Sequence, residues 1–196
     1  MIWYVVSALI IVCGVALDQI TKAVVVSNIE LYGSVKVIPG FIRFYRTENT
    51  GGAFSMLNQH PVILMIFTLI AMGIVAFLLI KFIKRHPLLT VTLSMILAGG
   101  IGNLIDRIFS GKVVDFIEFD FLFFGFFRFA VFNVADIFVT VGAVCLAVYI
   151  IAFEPKVEKR IREKKAETEA VPEAVDSSDV PSGAEEGLSG EKNDGE

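Results

Sequence analysis

The chain has 196 residues, enough for one domain, and 55% of them are hydrophobic. A mean hydropathy of +0.72 is too high for an ordinary soluble domain and points to a membrane protein. The formal charge of −4 belongs to the C-terminal end, because residues 1–153 carry ten Lys/Arg against eight Asp/Glu. No basic patch with interleaved aromatics is present, so nucleic acid is not an expected partner.

Residues 2–26 form the first stretch long enough to span a bilayer, which takes about 20 helical residues. No basic segment precedes it and no small-residue cleavage site follows, so it reads as a retained span. Asp18, Gln19 and Lys22 interrupt its upper part. In the loop 27–61, the stretch from Val35 to Arg46 reads as two short strands about the Pro39-Gly40 turn. The second span covers 62–83, and His86-Pro87 makes a tight turn into the third, 88–109. Ala98-Gly99-Gly100-Ile-Gly102 on that third span allows close helix packing. In the loop 110–133, Ile117, Phe119 and Phe121 alternate with Glu118 and Asp120, giving an apolar face and an acidic face. Nine of the eighteen Phe fall between 116 and 132, which suits a segment lying on the bilayer, over a lipid-filled groove, or against the helices. The fourth span covers 134–153. From Glu154 the chain becomes a basic, helix-prone stretch, then from about Ala166 an acidic tail with too little apolar surface to order itself. The expected organisation is a membrane domain, 1–153, and a tail, 154–196.

Cys13 and Cys145 lie in apolar helical runs and read as small buried core residues, with no disulfide or metal spacing. His60 and His86 fall on opposite sides of the membrane and no HExxH occurs, so no metal and no cofactor is expected. Lys81, Lys84 and Arg85, with six further Lys/Arg from Lys156 to Lys165, mark one side of the membrane. By the positive-inside rule both termini are then cytoplasmic, and the loops 27–61 and 110–133 face outward. The expected fold is all-α with four transmembrane helices and a small β-containing extracytoplasmic region built from the two outer loops.

Ionisable groups inside a membrane are expensive and usually functional. Here they share one layer. Asp18 sits ~24 Å up the first helix and Asn103 ~22 Å up the third, with Asp106 and Arg107 about a turn higher. Asp136 sits ~4–5 Å below the outer end of the fourth helix. Asp18 and Lys22 are i, i+4; Asn103 shares a face with Asp106 and Arg107; Asn133 and Asp136 are i, i+3 at a helix entrance. Plain structural readings also fit: an N-cap at Asn133 with Asp136 in the first turn, and mutual neutralisation of Asp18 with Lys22 and of Asp106 with Arg107.

Five blocks in this order resemble the lipoprotein signal peptidase (signal peptidase II) family. They are Asp18-Gln-Ile-Thr-Lys22, Asn49-Thr-Gly-Gly-Ala-Phe54, Gly102-Asn-Leu-Ile-Asp-Arg107, Val113-Val-Asp-Phe116 and Phe132-Asn-Val-Ala-Asp136. With the four spans they cover about residues 1–153; Gly52 departs from a frequent alanine. The resemblance implies an aspartic endopeptidase of the bacterial cytoplasmic membrane that works near its outer face without a metal. It would cleave a prolipoprotein before a diacylglyceryl-modified cysteine. By position in the blocks, Asp115 and Asp136 would be the catalytic pair. Asp18, Lys22, Asn49, Asn103, Arg107 and Asn133 would support them or the substrate. The expected partners are the diacylated prolipoprotein and membrane lipid, and the chain reads as a monomer. Competing readings are a small proton-coupled transporter, which needs polar groups through the inner half as well, a non-catalytic assembly factor, and a serine peptidase using Ser55 or Ser110 with Lys22.

Overall fold

The computed structural model describes residues 1–50, 61–121 and 129–169. Among them, four helices are long and apolar enough to cross a membrane: α1 (Ile2–Asn28), α2 (Pro61–Phe82), α3 (Pro87–Ser110) and α4 (Val134–Ala152). The loops between them supply β1 (Ser34–Ile38), β2 (Ile42–Asn49) and β3 (Val113–Phe119), an antiparallel sheet in the order β1-β2-β3. The expected fold class is therefore the observed one. A last helix, α5 (Glu154–Glu169), starts within the first unit of the chain, which ends at Lys159. The second unit begins at Arg160; the acidic segment 170–196 lies outside the described residues.

Helix α3 is the centre of the bundle and packs against α1, α2 and α4. It starts where Pro87 sets the first helical turn, a position where the missing N–H costs nothing, and the His86 ring nitrogen accepts the Leu88 N–H at 3.2 Å. Its small residues bring three neighbours close. A side chain at Gly99 would collide with the Ala135 carbonyl of α4, one at Gly100 with Met72 of α2, and one at Gly102 with Asp18 of α1 at 2.6 Å. Helix α2 is apolar all round and mostly exposed, as suits a helix facing lipid. The same is true of one face of α1, where Cys13 is exposed; Cys145, on α4, is half-buried. The cysteines are thus not the buried core residues their apolar surroundings suggested: lipid accepts an apolar side chain as readily as a protein core does.

The sheet adds one pairing that alternation alone does not specify. Glu118, on the acidic face, is buried, and opposite it on β2 Arg43 donates to it at 2.7 and 3.0 Å. Arg43 also reaches Asp120 at 3.7 Å. Phe41, Phe119, Phe121, Phe129 and Phe132 form one aromatic cluster at that end of the sheet. The rest of the Phe-rich stretch, 122–128, lies outside the described residues.

Candidate active site

Two chain reversals bring the polar layer together. Helix α3 ends at Gly111 in the left-handed region, φ 74°, which glycine adopts without strain. The chain turns back there as β3, two residues before Val113, and the Val114 N–H is held by Asp106 at 3.3 Å. Asp115 is thereby placed against the top of α3 and is buried. Phe132 then pairs with β3, exchanging backbone hydrogen bonds with Ile117 at 2.8 and 3.0 Å. That pairing sets the next residue, Asn133, beside Asp115.

Asn133 caps α4 with a reciprocal pair of bonds: its side-chain oxygen accepts the Asp136 N–H at 3.0 Å, and Asp136 accepts the Asn133 N–H at 3.1 Å. The plain N-cap reading of these two residues is therefore correct, and it does not compete with the functional one. The amide nitrogen of the same Asn133 donates to Asp115 Oδ1 at 2.7 Å and to Asn103 at 3.0 Å. Asn49, at the end of β2 and diagonal to Asp115 across the sheet, donates to Asp115 Oδ2 at 3.0 Å. Asn103 donates to Asp136 Oδ1 at 2.7 Å. Each carboxylate thus has both oxygens held by an amide N–H.

Beneath this lies a second tier. Lys22 is buried, and its ammonium finds Asp18 at 2.8 Å, Asp106 at 2.9 Å and Asn103 at 3.0 Å, one acceptor for each of its three N–H groups. Asp18 is fully buried and accepts the Ala135 N–H of α4 at 2.9 Å. Gln19 joins Asp106 at 2.9 Å, Asp18 at 3.1 Å and the Gly102 carbonyl at 3.2 Å. Every lone charge of this tier is paired and hydrogen-bonded, which is the condition for keeping charge buried. Asp106 and Arg107 do not neutralise each other as their adjacency suggested. Asp106 turns to Lys22, while Arg107 reaches the Asn103 carbonyl at 3.4 Å and faces the cavity.

That cavity, about 540 Å³, is lined by Asp115, Asp136, Asn49, Asn103 and Arg107, with Thr47, Glu48, Phe129, Phe132 and Thr140 around them. Burial pushes the Asp115 carboxyl up to about 6; the negative charge of Asp136 acts the same way, while the bonds from Asn49 and Asn133 and the charge of Lys22 oppose it. The geometry is that of two interacting carboxylates opening on one cavity, with no group of three or more metal-ligating side chains among the described residues.

The family model for signal peptidase (SPase) II matches residues 10–152, which hold the sheet, the cavity and all of the bundle but the first turns of α1. This chain belongs to the signal peptidase II family. It is 39% identical over 148 residues to a lipoprotein signal peptidase of Listeria monocytogenes serotype 4a, covering 76% of this chain and 94% of that one. A lipoprotein signal peptidase of Enterococcus faecalis is 39% identical over 153 residues, 78% of this chain and 89% of its own. Among solved structures, a bacterial membrane enzyme determined in meso at 2.3 Å resolution superposes with a TM-score of 0.63 at 34% identity. That match covers 74% of this chain and 87% of the other. A second such enzyme, at 1.9 Å, gives 0.62 at 31% identity, covering 76% and 94%.

All eight residues singled out in the sequence meet at this one cavity: Asp115, Asp136, Asn49, Asn103 and Arg107 line it, and Asn133, Asp18 and Lys22 lie against them. Gln19 and Asp106 belong to the same network and were not among them. Gln19 carried a signal, a second polar side chain next to Asp18 inside an apolar run. Ser110 bonds to the Asp106 and Lys112 carbonyls, and Lys22 is saturated, so a Ser110–Lys22 pair is absent; Ser55 lies outside the described residues.

Proposed function

We propose that this signal peptidase II chain is an aspartic endopeptidase that removes the signal peptide from prolipoproteins by cleaving before a diacylglyceryl-modified cysteine. One observation carries the reading: Asp115 and Asp136 open on the same cavity, and a single residue, Asn133, holds both. Amide hydrolysis needs a nucleophilic water and a proton for the departing nitrogen. Two nearby carboxylates sharing one proton supply both, because like charges this close resist ionising together. The ionised carboxylate takes a proton from water as the water oxygen bonds to the scissile carbonyl carbon. The protonated carboxyl hydrogen-bonds the carbonyl oxygen while that oxygen becomes an oxyanion. When the C–N bond breaks, the nitrogen leaves with a proton from the pair, and the new carboxyl group retains the water oxygen.

The remaining residues position this pair. Asn49, Asn103 and Asn133 fix the carboxylate planes. Arg107 places a fixed positive charge at the cavity wall, suited to backbone carbonyls of an extended substrate. Lys22 and Asp18 hold α1 to α3 and α4 beneath it. A proton-coupled transporter finds no support in the opposite half of the bundle: Thr90, Thr92 and Ser94, buried there, bond to backbone carbonyls and form no ionisable relay. The proposal includes sidedness: both termini are cytoplasmic, and the sheet and cavity lie at the outer face of the bacterial cytoplasmic membrane. The Lys/Arg excess at the other end of the bundle supports this orientation.

The test is direct. Purified protein is incubated with a prolipoprotein carrying the diacylated cysteine, and with the same chain lacking the lipid. Release of the signal peptide from the first and not the second is expected. Failure to cleave the diacylated substrate would refute the assignment.

A further inference from the structure

A second cavity lies at the end of the bundle opposite the carboxylates. It is a groove of about 370 Å³ between α2 and α4, with α3 as its floor. Its walls are Leu78 and Phe82 from α2, Leu89 and Leu93 from α3, and Leu146 and Ile150 from α4, almost entirely apolar. At its mouth stand Arg85, Glu154 and Tyr149. In a bilayer such a groove faces hydrocarbon, so its body demands an acyl chain and nothing more specific.

The mouth is more demanding. Tyr149 is 2% exposed, and its hydroxyl sits beside Arg85 and Glu154 without a well-aligned hydrogen bond to either. Arg85 gives one terminal nitrogen to Glu154, but its Nε–H is buried without an acceptor. A buried donor left unmade is costly, so the Arg85 Nε–H, with the poorly satisfied Tyr149 hydroxyl beside it, calls for an acceptor from outside the protein. The surroundings set its charge. Lys81 and Lys84 precede Arg85, and Lys156 and Lys159 follow Glu154, outnumbering the carboxylates of Glu154 and Glu158. An acceptor oxygen on an anion, attached to an acyl chain, matches every one of these features.

We infer that the α2–α4 groove is a binding site for an anionic phospholipid, one acyl chain lying on Leu89 and Leu93 and the phosphate accepting from Arg85 Nε and the Tyr149 hydroxyl. The site is separate from the peptidase cavity and does not depend on the reaction assigned there.

The full chain is reconstituted in phosphatidylcholine bilayers with and without phosphatidylglycerol, gently extracted, and weighed by native mass spectrometry. The parent protein should retain one phosphatidylglycerol at least fivefold more often than phosphatidylcholine when the two are equimolar. Tyr149→Phe, which removes only the hydroxyl, and Arg85→Gln should each abolish that preference. Ile150→Trp, at the exposed lip of the groove, should lower retention of any lipid. Asp136→Asn should bind as the parent does. Equal retention of the two lipids by the parent, or an unchanged preference in Tyr149→Phe, would overturn the proposal. Displacement of the lipid by millimolar inorganic phosphate would also overturn it, by showing a small-anion site in place of a lipid site.

Discussion

Asn133 donates to Asp115 at 2.7 Å from the position at which it caps the helix that carries Asp136. One side chain therefore sets both the start of α4 and the spacing of the two carboxylates. The two jobs use different atoms, the oxygen for the cap and the amide nitrogen for Asp115. They can be separated. Asn133→Ala should lower stability by about 0.5–2 kcal/mol, the usual cost of a lost N-cap, and should also cut turnover. Asn133→Ser keeps a capping oxygen and lacks the donor. It should recover most of the melting temperature and little of the turnover. If Asn133→Ser regains turnover in step with stability, the bond to Asp115 is not what positions the pair.

The raised Asp115 pKa has a definite sign in stability. A carboxyl held near 6 when folded, against about 3.9 in an unfolded chain, keeps its proton longer in the folded state. Between about pH 4 and pH 6 the folded protein binds more protons, so stability falls as pH rises through that window. Asp115→Asn has nothing to titrate and should lose that part of the slope. Melting temperatures of both proteins at pH 4 to 7 provide the check. Turnover should show a limb near pH 6 that belongs to the coupled pair and not to either residue alone. A parent and variant with parallel melting profiles would contradict the buried, proton-retaining Asp115.

The packing of α1 on α3 depends on Gly102, where a methyl group would lie 2.6 Å from Asp18 Oδ2. Gly102→Ala must push Asp18 away from Ala135 and Lys22, at a typical cost of about 1–3 kcal/mol. Gly73 in α2 has nothing within 4 Å of the added carbon. Gly73→Ala should be neutral or stabilising by up to ~1 kcal/mol. Thermal unfolding of the two variants side by side decides it, and equal behaviour would mean that the α1–α3 contact is looser than described.

Orientation is read from charge and can be measured independently. Reporter fusions after Arg85 and after Lys165 should report the cytoplasm, and a fusion at Ser34 should report the exterior. An external signal after Arg85 would put the carboxylates on the cytoplasmic side and remove them from substrates presented at the outer face.

Much of this was legible in the sequence, for physical reasons. Four apolar runs of spanning length gave the helices to within a few residues, and Pro39-Gly40 between alternating residues gave the β1–β2 hairpin. The polar layer stood out because charge is costly in lipid. What was not legible depended on contacts between distant segments. Asp106 has an arginine next to it, yet its partner is Lys22 on another helix, since adjacent residues on a helix point about 100° apart. Alternation in β3 separated its two faces correctly but could not say that Arg43 would cover Glu118. Apolar periodicity in α1 and α4 could not place the cysteines, because a bilayer removes the penalty that drives such side chains inward.

The central claim is that Asp115 and Asp136 work as one catalytic pair, and the most direct measurement is turnover of a diacylated prolipoprotein by Asp115→Asn and Asp136→Asn. Each variant keeps the shape of the carboxylate and removes its charge, and melting temperature establishes that it is folded. General acid–base assistance is typically worth ~10²–10⁴-fold, so each should lose at least a hundredfold in turnover. The double variant should be barely worse than either single one, because the two residues act as a unit. Asp120→Asn, whose carboxylate pairs with Arg43 on the sheet, should stay within about threefold of the parent. Retention of more than about a tenth of the parent turnover by either single variant would contradict the assignment and move the chemistry to another carboxylate.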